Sequence, residues 1–315
     1  MAGPRGADGF ETYYSGIYGH RWPALKAALL RPATHTALRD GLLQPYYLDP
    51  ASVAVAGLLP LAGARRVLDL CAAPGGKALV IAQRLAKEAE PGAVMTANER
   101  SRRRRGRLIA VLDAHLPPET RGRVSVTGHD ATQWGVHQPD QWDAILADVP
   151  CSSEQHVLGA PEELAKWSPS RVRRLAVQQG AILAAAVDSL RSGGHVLYVT
   201  CALSPEENDA VVEKILRKRA DRVDRHAMLG SDRQHARDFG RAPWADHRQR
   251  PALAVTPALL IAGAVGVGSE HGALAEQLDQ GLDHRAGGGG GVHAAAPSVI
   301  LKIACAFCAS KARSR

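Results

Sequence analysis

Between residues 61 and 218 the chain alternates two patterns. Short, continuously apolar runs are followed by longer stretches whose apolar positions recur every three or four residues. The first kind fits strands buried on both faces, the second fits helices packed on one side. Strands are predicted at Val67–Leu70, Ala93–Ala97, Arg123–Thr127, Asp143–Ala147 and Gly194–Thr200. Helices are predicted from the turn after the first strand to about Lys87, over Ser101–Leu112 and over Arg171–Leu190. Strands alternating with helices predict an α/β fold with a mostly parallel, doubly wound sheet.

The flanks read differently. Residues 10–60 predict a small, mostly helical N-terminal region, with Pro23 near the start of a helix that runs on through Leu30. Ser204-Pro205-Glu206-Glu207 predicts a helix start, with Ser204 as N-cap, Pro205 at the first helical position and Glu207 three residues after the cap. Residues 221–297 carry scattered His, Arg and Gly, and Gly287 to Gly291 reads as a flexible loop. Ser298–Ala304 then has the look of a returning strand. The division expected is a helical region over 1–60 and a catalytic domain over 61–315, poorly defined at 221–297.

A chain of 315 residues with 45% hydrophobic residues has room for one large core. Its formal charge of +8 favours a polyanionic partner. Aromatics at 4% argue against broad stacking surfaces for single strands. Five cysteines, an odd number without framework spacing, fit a reducing compartment. No apolar run reaches the length of a membrane span, and Met1–Phe10 lack the apolar core of a signal peptide. The expected location is cytoplasmic, or mitochondrial in a eukaryote.

Candidate chemistry sits at the strand ends. Asp69-Leu70-Cys71-Ala72-Ala73-Pro74-Gly75-Gly76-Lys77 follows a strand and opens a helix. It lacks the spacing of the dinucleotide fingerprint and of the Walker loop. It supplies close backbone approach at Gly75 and Gly76 and a helix N-terminus suited to an anionic group, such as the carboxylate of S-adenosylmethionine. Glu99, ending the second strand, is placed to bind ribose hydroxyls. Asp130, followed by Ala131 after the third strand, is placed to accept from an adenine amino group.

Two thiols follow. Cys151 lies in Asp148-Val149-Pro150-Cys151-Ser152-Ser153 and Cys201 in Tyr198-Val199-Thr200-Cys201, each at the end of a predicted strand. A thiolate added to carbon 6 of a pyrimidine makes carbon 5 electron-rich, so that it can take a methyl group from a sulfonium donor. Asp148 is placed to bond the pyrimidine edge or the cofactor.

These strings, with Val199-Thr200-Cys201-Ala202-Leu203-Ser204-Pro205-Glu206-Glu207-Asn208, resemble the motifs of the Sun family of RNA cytosine-5 methyltransferases. The likeness covers roughly residues 10–218 and is greatest to the short branch that includes a mitochondrial ribosomal-RNA enzyme. It implies a Rossmann-like methyltransferase with a seven-stranded sheet and S-adenosylmethionine as cofactor. It implies that Cys201 is the nucleophile, that Cys151 helps release the product, and that Arg104 belongs to the cofactor site. The implied substrate is structured RNA, ribosomal in preference to tRNA. A catalytically silent ribosome-assembly factor on the same fold is the rival reading, opposed by the presence of both thiols. A monomer is expected, with RNA contacts from the N-terminal region, from surface Arg or from a guide protein.

Other features read more simply. Arg102 to Arg105 and the stripe Arg171, Arg173 and Arg174 are mainly solvated helix faces, with phosphate contact as the rival. Trp134, Trp142 and Trp167 read as core. Cys305-Ala306-Phe307-Cys308 has zinc-knuckle spacing but no second pair to complete four ligands, so no metal is expected.

Overall fold

The structure, a computed structural model, describes residues 4–226 and 298–304. The helices are α1 (Gly6–Tyr18), α2 (Trp22–Leu29), α3 (Pro50–Gly57), α4 (Gly76–Glu88), α5 (Arg102–His115), α6 (Pro118–Arg121), α7 (Trp134–His137), α8 (Glu154–Leu158), α9 (Pro161–Ala165), α10 (Pro169–Ser189) and α11 (Asp209–Lys218). The strands are β1 (Thr36–Leu38), β2 (Tyr46–Leu48), β3 (Arg66–Asp69), β4 (Val94–Asn98), β5 (Val124–Thr127), β6 (Trp142–Asp148), β7 (Leu190–Thr200), β8 (Asp224–His226) and β9 (Ser298–Ala304).

The main sheet runs β5-β4-β3-β6-β7-β9-β8, and its neighbours are parallel throughout. The five strands β3 to β7 form its body, and β8 and β9 extend it at one edge. Because the strands are parallel, their carboxyl ends share one edge of the sheet. Chain order reverses between β3 and β6, the switch point where open α/β sheets bind ligands.

The central strands are apolar on both faces because helices cover both. In β6, Ala144 and Leu146 pack into one cluster, while Ile145 and Ala147 pack into the opposite one. In β3, Val67 and Leu68 divide the same way. The first cluster also holds Val55 of α3, Leu79 and Ile81 of α4, and Leu108 and Leu112 of α5. The second holds Ile182 and Leu183 of α10 and Val211 and Ile215 of α11. Trp134 and Trp142 belong to the second cluster, as expected of core residues.

A third cluster docks the N-terminal helices against α8, Trp167 and α10. Phe10, Tyr14 and Trp22 pack with Val157, Trp167 and Val172. The Phe10 ring centroid is 4.6 Å from Tyr14, 5.9 Å from Trp22 and 5.3 Å from Trp167.

The region 10–60 is mostly helical, and it also holds an antiparallel hairpin of β1 and β2 that the sequence did not show. Each strand has three residues, too few to show a period of two, and the hairpin's value lies in tertiary contact under α4. The helix expected to start at Ser204 instead starts at Asp209, after a turn over 205–208. Ser204 Oγ still accepts from the Glu206 amide at 3.2 Å, but the Glu207 side chain turns into the core. The Gly287–Gly291 run, the histidines from His235 to His293, and Cys305 and Cys308 lie outside the described residues.

The Phe10→Ala variant tests the docking of the N-terminal region. Removing a fully buried ring at the centre of an aromatic cluster should cost about 3–5 kcal/mol, read as a fall in the denaturant midpoint. A loss below about 1 kcal/mol would mean that the helices are only loosely attached.

Candidate active site

The loop after β3 is shaped by two glycines. Gly75 caps α4 with a φ of 125° and a ψ of −12°, a conformation that L side chains rarely adopt. A Cβ there would also lie 2.9 Å from Val111 Cγ1. A Cβ on Gly76 would lie 3.0 Å from Tyr46 Cε1 and 3.1 Å from Leu48 Cδ1. The hairpin thus packs against the first turn of α4, and only glycine fits between that turn and the side chains of Val111, Tyr46 and Leu48.

Acidic groups ring this loop. Glu99 is buried, with Oε1 accepting from the Ser101 amide at 2.8 Å and Oε2 paired with Arg104 at 3.2 Å. Arg104 also donates to the Ala73 carbonyl at 2.8 Å, so it ties the loop to the Glu99 carboxylate. Asp130 Oδ1 accepts from the Thr132 amide and hydroxyl, and Oδ2 pairs with Arg100 at 3.1 Å. These donors, Thr132 first, hold its carboxyl below the usual range. Ala131 beside it is buried. Asp148, at the end of β6, pairs with Lys77 at 2.9 Å.

Asp69 adds a group that sequence reasoning left inside the loop motif. Its Oδ1 accepts from the Cys71 amide at 3.3 Å, while its buried Oδ2 has no hydrogen-bond partner. Burial, with the Asp148 charge nearby, pushes its carboxyl up to about 7. Burial also pushes the Cys71 thiol well up, helped by the charges of Asp69, Asp148 and Glu99. Of the three thiols at this edge among the described residues, Cys71 is therefore the least suited to be the nucleophile.

Cys151 and Cys201 lie beyond the ends of the adjacent strands β6 and β7, which pair from Ala144 with His195 to Asp148 with Val199. The two sulfurs share one neighbour. Ser153 Oγ is 3.5 Å from Cys151 Sγ and 3.3 Å from Cys201 Sγ. Ser153 has a φ of 52° and a ψ of 63°. A non-glycine residue in the left-handed region costs about 1 kcal/mol or more, so the surrounding structure must impose it.

That surrounding structure is a buried polar network. Glu154 accepts from the hydroxyls of Tyr14 and Ser152 and from the Leu203 amide at 3.1 Å. Glu207 accepts from the Ser152 amide at 2.9 Å and from Gln179 Nε2 at 2.7 Å. Tyr198 donates to the Glu207 carbonyl at 2.8 Å. Burial pushes the Glu154 carboxyl up, and burial plus the Glu154 charge pushes Glu207 up to about 7. The network links α1, the Cys151 loop and the Cys201 loop. It was missed from sequence because most of its bonds join single polar residues far apart in the chain. Ser152, Tyr198 and Glu207 lay in recognisable strings, but those strings pointed to the thiols and to a helix cap.

The arginine run divides. Arg105 donates to the carbonyls of Glu99 at 2.9 Å and Arg100 at 3.3 Å, so it holds the loop after β4. Arg102 and Arg103 are exposed, as are Arg173 and Arg174, while Arg171 pairs with Glu163 at 3.2 Å.

A parallel Rossmann-like sheet with a glycine loop and acids at successive strand ends defines the class: S-adenosylmethionine-dependent methyltransferases. A family model described as 16S rRNA methyltransferase RsmB/F matches residues 56–249, and the chain belongs to that family. It is similar to a mitochondrial tRNA (cytosine(34)-C(5))-methyltransferase of Danio rerio, 38% identical over 56% of this chain and 47% of the relative. It is 38% identical to the 5-cytosine rRNA methyltransferase NSUN4 of Bos taurus, over 55% of this chain and 45% of that one. It is 39% identical to ribosomal RNA small subunit methyltransferase F of Escherichia coli, over 53% of this chain and 34% of that one. The matched part is thus less than half of each of these relatives. Among solved structures, a methyltransferase homologue from Pyrococcus horikoshii shares the fold, with a TM-score of 0.51 at 19% identity over 66% of this chain and 77% of that one.

The residues present fit S-adenosylmethionine. The N-terminus of α4 at Gly75 and Gly76 suits its carboxylate, the orphaned Asp69 oxygen suits its ammonium, and a carboxylate such as that of Glu99 keeps acceptor sites beyond its two internal bonds. The Asp69 assignment makes a calorimetric prediction. Its carboxyl is raised to about 7, so at neutral pH the ligand-free protein holds part of a proton there. A bound cation lowers that affinity, so binding should release a proton. Release should be absent by about pH 8.5, where Asp69 is already ionised, and should grow as the pH falls towards about 6.5. Titration calorimetry in buffers of different ionisation enthalpy reads it, and Asp69→Asn should abolish it. A buffer-independent heat at pH 6.5 in the native chain would remove Asp69 from the cofactor site.

Proposed function

We propose that this protein methylates carbon 5 of cytosine in structured RNA, with ribosomal RNA as substrate. The observation that carries this reading is the pairing of Cys151 and Cys201 on one hydroxyl at the sheet edge that bears the glycine loop. A binding scaffold has no use for two thiols placed together. Relatives named for rRNA support the ribosomal substrate, and the Danio rerio relative, named for tRNA, keeps tRNA as the second reading.

S-adenosylmethionine, when bound, supplies an electrophilic methyl group. The remaining chemistry falls to this chain's side chains. The Cys201 thiolate adds to carbon 6 of the base, and the electron pair freed in the ring makes carbon 5 nucleophilic. The Lys77–Asp148 pair stands at the end of β6, next to the Cys151 loop. Asp148 offers an acceptor to the base edge or the cofactor. Cys151 takes the proton from carbon 5, and the carbon 6–sulfur bond then breaks, returning the electron pair to Cys201. Glu99 and Asp130 hold the ribose and adenine of the cofactor.

Exposed Arg102, Arg103, Arg173 and Arg174 offer phosphate contacts, consistent with a net charge of +8. A guide protein for the RNA and a monomeric state belong to the same reading, as does a cytoplasmic or mitochondrial location. Among the described residues no helix is long and apolar enough to cross a membrane.

The test separates the two thiols. Cys201→Ala should abolish methyl transfer from labelled S-adenosylmethionine to RNA and form no covalent species. Cys151→Ala should methylate but stall, leaving a protein–RNA adduct that survives denaturing electrophoresis. An adduct in Cys201→Ala and none in Cys151→Ala would reverse the roles. Absence of label in every RNA size class with the native chain would overturn the proposed activity.

A further inference from the structure

Ser153 occupies the N-cap position of α8, where a serine normally turns its hydroxyl back to accept from a backbone amide of the first turn. Here it makes no such cap bond. Its carbonyl accepts from the Val157 amide at 3.0 Å, so the helix start is intact. The hydroxyl faces away, towards the Cys151 and Cys201 sulfurs. The left-handed backbone of Ser153, which glycine would adopt more readily, aims it there. Its neighbour Ser152 has a different task, since its amide and hydroxyl are both held by the buried carboxylates.

We propose that Ser153 is a third catalytic group of this site: a rotatable donor that hydrogen-bonds whichever of the two sulfurs is anionic. The assignment rests on the roles given above to Cys201 and Cys151. With Cys201 ionised, the Cys151 S–H donates to Ser153 Oγ and the Ser153 O–H donates to Cys201 Sγ. When Cys201 Sγ bonds carbon 6 its charge is gone and the hydroxyl is released. Cys151 loses its proton to solvent water, and the hydroxyl rotates to donate to the new thiolate. Cys151 then accepts the carbon 5 proton. The carbon 6–sulfur bond breaks, its electron pair returns to Cys201, and the hydroxyl turns back. Ser153 keeps its own proton throughout, so each transfer balances on the thiols, the base and water.

Hydrogen bonds to the ionised form favour ionisation. Other charged or titratable groups on the elements around the sulfurs include the Lys77–Asp148 pair, Asp69 with Cys71 after β3, Glu154 and His156 on α8, Glu206 and Glu207 before α11, and Tyr198 on β7. Substituting Ser153 alters none of them chemically.

The test uses the intact chain without RNA or cofactor. Alkylation of Cys201 by iodoacetamide is followed against pH by peptide mass spectrometry in the native protein, S153A and S153G. S153G removes the hydroxyl while relieving the backbone, so it should fold at least as well as the native chain. In both variants the Cys201 curve should move up by about half a pH unit or more. Methylation of RNA under single-turnover conditions should slow by about tenfold with little change in KM for RNA. A native Cys201 curve in S153G overturns the proposal, whatever happens in the RNA assay. A shifted curve in a chain whose native form methylates no RNA supports the hydrogen bond to Cys201 and overturns the reaction assigned to the site.

Discussion

The candidate site depends on one buried carboxylate. Glu154 is 1% exposed and takes donors from three separate parts of the chain: Tyr14 in α1, Ser152 beside Cys151, and the Leu203 amide just after Cys201. A carboxylate in that position is costly unless its oxygens are satisfied. The same requirement works in reverse, because the three donors are also enclosed and have few alternatives. The segments that carry them are therefore held together at a single point. Glu207 makes a second tie, from the Ser152 amide to Gln179 of α10.

Such a point is needed because the sheet alone does not place the thiols. Pairing of β6 with β7 sets the positions of Asp148 and Val199. Cys151 and Cys201 lie beyond those residues, in loops without ladder hydrogen bonds. The network carries the register of the sheet into the loops, and it brings the N-terminal helices into the structure of the site. Tyr18 adds to this by donating to the Leu203 carbonyl at 2.6 Å. The aromatic cluster of Phe10, Tyr14, Trp22 and Trp167 excludes water from the same region, which strengthens every hydrogen bond inside it.

Much of the fold was legible because the body strands are buried on both faces. Runs such as Ala144-Ile145-Leu146-Ala147 have no reading other than a central strand once flanked by amphipathic helices. The strand-end acids, the glycine loop and both thiols were legible for a related reason: each lies next to a recognisable strand. What stayed hidden depends on long-range contact. Tyr14 meets Glu154 across 140 residues and Ser152 meets Glu207 across 55. Ser204-Pro205-Glu206-Glu207 has the composition of a cap, but the buried partners of Glu207 outcompete capping, and the helix starts later. Arg105 was grouped with its neighbours as a solvated helix face, with phosphate contact as the rival, yet its guanidinium closes a loop. The orphaned Asp69 oxygen is a property of burial, which the loop string does not express.

Amide hydrogen exchange in a Glu154→Leu variant tests the central claim directly. The substitution keeps an apolar side chain of similar size and removes the shared acceptor. Losing a buried hydrogen bond is worth about 1–3 kcal/mol. Protection at the Leu203 amide should therefore fall by about tenfold or more, and protection at the Ser152 amide should fall with it. The β6 and β7 amides, held by the sheet, should keep native protection. Loss at Leu203 with native protection at Ser152 would contradict the account, because the two thiol loops would then be held independently.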